Sequence, residues 1–539
     1  YYTEGSTTDH HCHPDSNGKL SSSPPLIPQS PSSDSSDSFS TTSSRRVPQL
    51  AGRFGAPGAG CDSPLALINE TLRFVAERLN GLPEGMWRGY EDQRGAYMLG
   101  EGDWKKMEEE RHEGLDFVVW TGDSARHDND ARFVRSESEI QALNHLAVRY
   151  MLRTFPSSFP SHPSIPIIPT IGNNDIWPHN SMTYTPTRPN PTLDYYAALW
   201  EPFMPESQRS EFRRHGSFAV EVIKDKVIVV SINTMYLSNS NDLVKDCAGR
   251  EGEDGYGGDA VLKFLRQTLE GARGVGKTVH VVGHVPPNPL NYGEGCYRGF
   301  ARLARDFREV VVGQHYGHMN VDHFFFPTPH DGVGEHSLSP QPPSSSPSSS
   351  NTNTTTLLST LSVTRPDFSL QNTPVHSMVP GWFSMYFHYL MTHYHSESKR
   401  KAHEMVQPVF VAPSVVPNMN PAVRVFEYNT GSNVTDTRRD GGEVDVAEVM
   451  GGTGYVTKPG ALLSYTQYYS DISKWNALHA LYVSSSSAFP HPHTSSAQPR
   501  PFPPRGTYIY EREYRPLKAY RMAHGEGMGA ESWREFAGR

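Results

Sequence analysis

Cysteine is scarce in this 539-residue chain: Cys12, Cys61, Cys247 and Cys296 are the complete set, and no C-x-x-C pair occurs among them. That spacing excludes the common structural zinc motifs, while the even number suits two disulfides. Long hydrophobic runs are also missing, since the longest, Trp382 to Met391, is too short to span a bilayer and contains His388. No signal peptide is recognisable, and the chain begins at Tyr1 rather than Met. A fragment is therefore expected, and the missing N-terminus could have carried a targeting segment or anchor. Positive charge is in deficit, with 49 Lys and Arg against 58 Asp and Glu for a formal charge of -9. General attraction to nucleic acid or membrane surfaces is thereby excluded. An anionic substrate would need local cations, which bound divalent metals supply.

What the chain does contain is proline, 44 residues of it, with a hydrophobic fraction of 36%. A mean hydropathy of -0.56 then implies a globular body interrupted by polar insertions. Composition divides it into an N-terminal loop region at 1–60 with a Ser/Pro-rich tract and a core at 61–336. A low-complexity insertion at 337–378 follows, then the rest of the core with an accessory region at 379–483. A second insertion at 484–505 and a C-terminal segment at 506–539 complete the chain. Sequons at Asn69, Asn353 and Asn433 agree with the cysteines on an oxidising compartment, a secretory or vacuolar lumen.

Periodicity predicts helix and strand in alternation, an α/β chain. Ser63 and Pro64 open a helix with Leu65, Ile68, Leu72, Val75 and Leu79 on one face. A buried strand ends at Trp120. Ser136 and Glu139 spell a capping box before Ile140, Leu143, Leu146 and Tyr150. Further strands are expected at 165–171, 218–223, 227–232, 279–282, 310–312 and 423–428, with helices near 259–270 and 382–395.

Four of the strand ends carry polar residues behind a glycine: Gly122-Asp123, Gly172-Asn173, Gly283-His284 and Gly317-His318. Each alone is an ordinary turn. In succession they offer the carboxylate, amide and imidazole ligands that divalent metals take, gathered from several strands as in two-metal hydrolytic sites.

In this order the pairs resemble the motif series of the calcineurin-like metallophosphoesterases, in particular the fungal vacuolar endopolyphosphatases, relatives of acid sphingomyelinase. The matching stretches are Trp120-Thr-Gly-Asp-Ser-Ala-Arg-His-Asp-Asn-Asp130, Gly172-Asn-Asn-Asp-Ile-Trp-Pro-His-Asn180, Gly283-His-Val-Pro-Pro287 and Tyr316-Gly-His-Met-Asn-Val-Asp-His-Phe324, with Gly60-Cys-Asp-Ser-Pro64 and Asn420-Pro-Ala-Val-Arg-Val-Phe-Glu-Tyr428. The resemblance implies a four-layered sandwich, two central mixed sheets flanked by helices. It also implies a pair of divalent ions, manganese, magnesium, zinc, cobalt or iron. Carried over by position, Asp123 would bridge the ions, with Asn173, His284 and His318 on one and Asn320 on the other. Catalytic roles would fall to Asn174, His127 and His179. The disulfides implied by the family and by chain proximity are Cys12–Cys61 and Cys247–Cys296.

Two departures stand out. The family's opening Asp-x-His is absent behind any apolar strand, because Asp9-His-His11 follows a polar stretch. Asn174 stands where relatives carry a proton-donating histidine. An amide cannot protonate a leaving group, but a departing phosphate, with a pKa of roughly 6, needs this less than an alkoxide related to water at about 15.7. The resemblance thus implies hydrolysis of internal phosphoanhydride bonds in inorganic polyphosphate, in a vacuolar lumen, with membrane attachment only through a missing N-terminal anchor. The alternatives are a sphingomyelinase-like phosphodiesterase or, for the fragment, a non-catalytic metal- or polyphosphate-binding protein.

Overall fold

The computed structural model describes residues 51–56, 62–84, 87, 114–128, 133–157, 163–328, 381–397, 399, 406–415, 420–431, 458–487, 503, 507–516, 533 and 536. The chain forms α1 (Leu65–Arg73, continued as a π-helical stretch Phe74–Leu79), β1 (Val118–Trp120), α2 (Glu137–Thr154), β2 (Ile167–Pro169), α3 (Pro191–Leu199), α4 (Glu206–His215), β3 (Phe218–Ile223) and β4 (Val227–Ser231). There follow α5 (Gly257–Gly274), β5 (Thr278–Val282), α6 (Glu294–Asp306), β6 (Val311–Tyr316), β7 (His323–Phe325), α7 (Gly381–Glu397), β8 (Val409–Val411), β9 (Ala422–Tyr428), β10 (Leu462–Tyr469), α8 (Ile472–Ser487) and β11 (Glu511–Tyr514).

The largest sheet has the order β3-β4-β5-β6-β8-β7. Its four inner strands are parallel and its two edge strands antiparallel. Every residue of β5 is buried, the signature of a parallel strand covered on both faces. Alternation sends Val279 and Val281 toward one face and His280 toward the other. On the His280 side, its ring meets Phe117 at 6.1 Å, and His315 of β6 meets Phe426 of β9 at 4.7 Å. Strands β1 and β2 form a separate parallel pair, and β9, β10 and β11 an antiparallel sheet. Residues of β2, β4, β5, β6, α5 and α6 share one core. This mixed α/β layering agrees with the expected sandwich.

Several expectations need adjusting. Ser136 caps α2 by accepting from the Glu139 amide at 3.1 Å, but the Glu139 carboxylate turns to Arg126 (2.5 Å) rather than closing the box. The strand expected at 310–312 runs through Gly313 to Tyr316. Helix α8 reaches Ser487, inside the tract read as an insertion, and β11 of the C-terminal segment completes a sheet. Helices α3, α4, α6 and α8 fall where periodicity predicts none. In α4, ESQRSEFRRH, the only buried apolar residue is Phe212, too little for a periodic signal.

The Cys247–Cys296 disulfide is present, while Cys12 and Cys61 lie outside the described residues, as do Asp9-His-His11, Asn353 and Asn433. Asn69 is buried, and its Oδ1 accepts from Tyr150 Oη at 2.7 Å. Among the described residues no helix is long and apolar enough to cross a membrane.

Candidate metal centre

The β1 and β2 strands end side by side, and the loops leaving them touch. A Cβ on Gly122, whose φ is +83°, would stand 2.8 Å from both the Gly172 amide nitrogen and the Thr170 carbonyl oxygen. A Cβ on Gly172 would collide with Asp123 itself. Both glycines are thus imposed by the approach of two backbones. Asp175 knits the loops together: its buried carboxylate accepts the amides of Asp123 (2.7 Å), Ser124 (2.7 Å), Ala125 (3.0 Å) and Gly172 (3.0 Å). Asn144 of α2 adds a fifth donor at 3.2 Å.

Onto this frame β5 and β6 deliver their histidines. His284 donates from Nδ1 to the Thr121 carbonyl (2.6 Å), which leaves Nε2 with a lone pair. That nitrogen lies 2.9 Å from Asn173 Oδ1, 3.1 Å from Asp123 Oδ2 and 3.2 Å from His318 Nδ1. His318 Nδ1 is in turn 3.0 Å from Asn173 Oδ1. Ligand atoms of Asp123, His284 and His318 all fall within 4.8 Å of one another. Carboxylate, amide and imidazole atoms gathered this closely make the donor set of a divalent cation.

The electrostatics agree. Burial pulls the His284 pKa down, but the Asp123 carboxylate outweighs it and leaves the pKa raised. Burial raises Asp123, yet His284 holds it well below the carboxylate range. His318 is pushed down to about 3 by burial and by His284. The negative charge of an ionised Asp123 among imidazole and amide donors also suits a divalent ion.

The remaining predicted residues take different places. Asn174 donates from its amide nitrogens to both oxygens of Asp123, at 2.9 Å from the backbone and 3.0 Å from the side chain. His179 is engaged at both ring nitrogens, Nδ1 with Asp128 at 3.0 Å and Nε2 with the Asn173 amide at 2.7 Å. Through this contact it turns the Asn173 oxygen toward the cluster. His127 hydrogen-bonds Asp62 and lies within electrostatic reach of Asp123 and His318. Asn320 adopts φ 56°, and no hydrogen bond among the described residues joins it to the cluster.

Sequence reasoning missed three supporting carboxylates: Asp62, Asp128 and Asp175. All three sit inside the motif stretches quoted above, but nothing in their spacing reveals which group each accepts.

Residues 101–321 match the calcineurin-like phosphoesterase family. An endopolyphosphatase of Candida glabrata is 33% identical over 426 residues, covering 73% of this chain and 57% of that protein. The endopolyphosphatase of Saccharomyces cerevisiae is 34% identical over 335 residues (62% and 40%), and that of Schizosaccharomyces pombe 34% over 326 residues (60% and 46%). The chain spans about half the length of the curated relatives it matches.

Proposed function

Given that the chain carries a calcineurin-like phosphoesterase domain, we propose that it hydrolyses internal phosphoanhydride bonds of inorganic polyphosphate, as the names of its relatives say of them. The observation that carries this reading is the convergence of Asp123, Asn173, His284 and His318 on one small volume. These four residues would hold one divalent ion, and Asp123 with Asn320 would contribute to a second. Bound there, such ions act as Lewis acids that offset charge on phosphoryl oxygens.

The chain's own residues supply the rest. Asn173 is aimed by His179, and Asp123 is fixed by Asn174 and by the Asp175 lattice, so the ligands need no rearrangement. Asn174 has no proton to give a leaving group, which suits phosphate better than an alkoxide. Manganese, magnesium, zinc, cobalt and iron all accept this donor set. A vacuolar lumen, with any membrane anchorage provided upstream, is the compartment that fits the disulfide and the substrate.

The test is to incubate the full chain with long-chain polyphosphate and each metal in turn, and to follow chain length on gels beside phosphocholine release from sphingomyelin. Progressive shortening that stops on chelation is expected. Phosphocholine release without shortening would overturn the reading in favour of a phosphodiesterase, and retention of polyphosphate without turnover in favour of a binding protein.

A further inference from the structure

A cavity of about 510 Å³ opens between α4 and α5, and none of the residues assigned to the metal centre lines it. Its size lies within the roughly 300–1,000 Å³ of small-molecule sites. We propose that it is a binding site for a neutral monosaccharide, held by its hydroxyl groups over an apolar floor. The proposal goes beyond the polyphosphate reading and does not depend on it.

Helical spacing builds the walls. From α5 come Ala260, Lys263, Phe264, Gln267 and Thr268, which share one face at intervals of three and four. From α4 come Gln208, Glu211 and His215, again on one face. Tyr184 closes a side, its carbonyl accepting the Gly255 amide at 3.2 Å.

Charge is already balanced within these walls. Lys263 pairs with Glu251 at 2.8 Å, and Arg214 with Glu211 at 3.6 Å. Two cations matched by two carboxylates create no field that draws in a polyanion, and an ionic ligand would have to break a pair to enter. A neutral ligand leaves both pairs intact.

The remaining capacity is that of hydrogen bonding by buried groups. Tyr184 is only 8% exposed, and its hydroxyl has no hydrogen-bond partner among the described residues. The charges acting on it include Glu251, Arg214 and Glu211, all of them cavity residues, so the hydroxyl faces the cavity. Burial and Glu251 raise its pKa, which keeps it a donor. His215 donates from Nε2 to Glu211 at 3.0 Å, while its Nδ1 is buried without a partner. Gln208 spends its oxygen on the Ala219 amide at 3.3 Å and keeps its amide nitrogen to donate. A hydroxyl group both gives and accepts, so a ring bearing several of them answers phenol, imidazole and amide together. Phe264, with the His215 ring 4.7 Å away, offers the aromatic surface on which the C–H face of a sugar rests.

The experiment is saturation-transfer NMR with calorimetric titration on the intact chain. The probes are methyl glucoside, methyl mannoside and methyl galactoside, with alanine as a zwitterion and pyrophosphate as an anion. At least one glycoside should bind in the millimolar range, with transfer strongest at its ring C–H groups. Tyr184→Phe, which removes only the hydroxyl, should weaken that binding roughly fivefold, the loss of one neutral hydrogen bond. Gln267→Trp, at an exposed position of α5, should abolish it by filling the entrance. Silence from all three glycosides would overturn the proposal, as would alanine or pyrophosphate binding that disappears in Gln267→Trp. Glycoside binding that survives both substitutions would place the sugar elsewhere and overturn it too. If Tyr184→Phe fails to fold, Gln267→Trp decides alone. None of these readouts is hydrolysis, so loss of the polyphosphate reading leaves the test standing.

Discussion

Asp123, His318 and Asn320 all have left-handed backbones, with φ of 57°, 68° and 56°. For residues with side chains this geometry is uncommon and persists where surrounding structure enforces it. Around Asp123 the enforcement comes from Asp175, so Asp175→Asn should be costly: one acceptor becomes a donor facing amide N–H groups. A loss of about 2–4 kcal/mol in urea denaturation is expected from the unmet buried donors. Gly172→Ala should weaken metal binding by displacing Asp123, and His284→Ala should do so at least 100-fold, both measurable by calorimetric metal titration. The four residues at the centre were legible because each follows a glycine at the end of an apolar strand. Asp62, Asp128 and Asp175 were not, since their partners are chosen by tertiary contact: Asp175 serves amides some 50 positions away and Asp62 a histidine 65 away.

At the level of elements, legibility followed burial. Strands β4 and β5 announce themselves because parallel strands covered on both faces must be continuously apolar, whereas β7, β8 and β11 are three or four residues long and carry no period. The start of α6 shows a device that composition hides. Asp246 accepts the amides of Gly295 (2.8 Å) and Cys296 (3.1 Å), capping the helix from outside, while the Cys247–Cys296 bond fixes that cap next to it. The bond closes a loop with a sequence separation of 49. Replacing both cysteines with serine should lower stability by about 2–4 kcal/mol, seen as a reduced melting temperature that added reductant no longer changes.

For the molecule as a whole, pH is set to matter through His280 and His315, stacked between the large sheet and the β9–β10 face. His280 donates from Nε2 to the Gly460 carbonyl (2.9 Å) and accepts at Nδ1 from His315 Nε2 (3.1 Å), a pattern that requires a neutral His280 ring. Burial pushes His280 down to about 4 and His315 well below its usual value. The unfolded chain, with histidines near 6.5, therefore binds more protons as pH falls from about 6.5 toward 4, and stability drops across that window. His127 has the opposite sign: raised to about 8, it contributes fully below 6.5 and its contribution fades as pH rises through 8. Urea midpoints should peak near neutrality, and His280→Gln should reduce the acidic slope by up to about 1.4 kcal/mol per pH unit.

The order β6-β8-β7 has a consequence of another kind. Strand β8, from beyond residue 380, lies between two strands from before 328, and Arg424 of β9 binds Asp322 just after the His318 loop, with Gln467 of β10 and Tyr514 of β11 completing the clasp. The two halves of the polypeptide are interleaved rather than joined in tandem. If a protease site engineered between residues 329 and 380 were cut, the pieces should run as two bands under denaturing conditions yet elute as a single metal-binding particle. The covalent link between them is dispensable once folding is complete, and the noncovalent one is not.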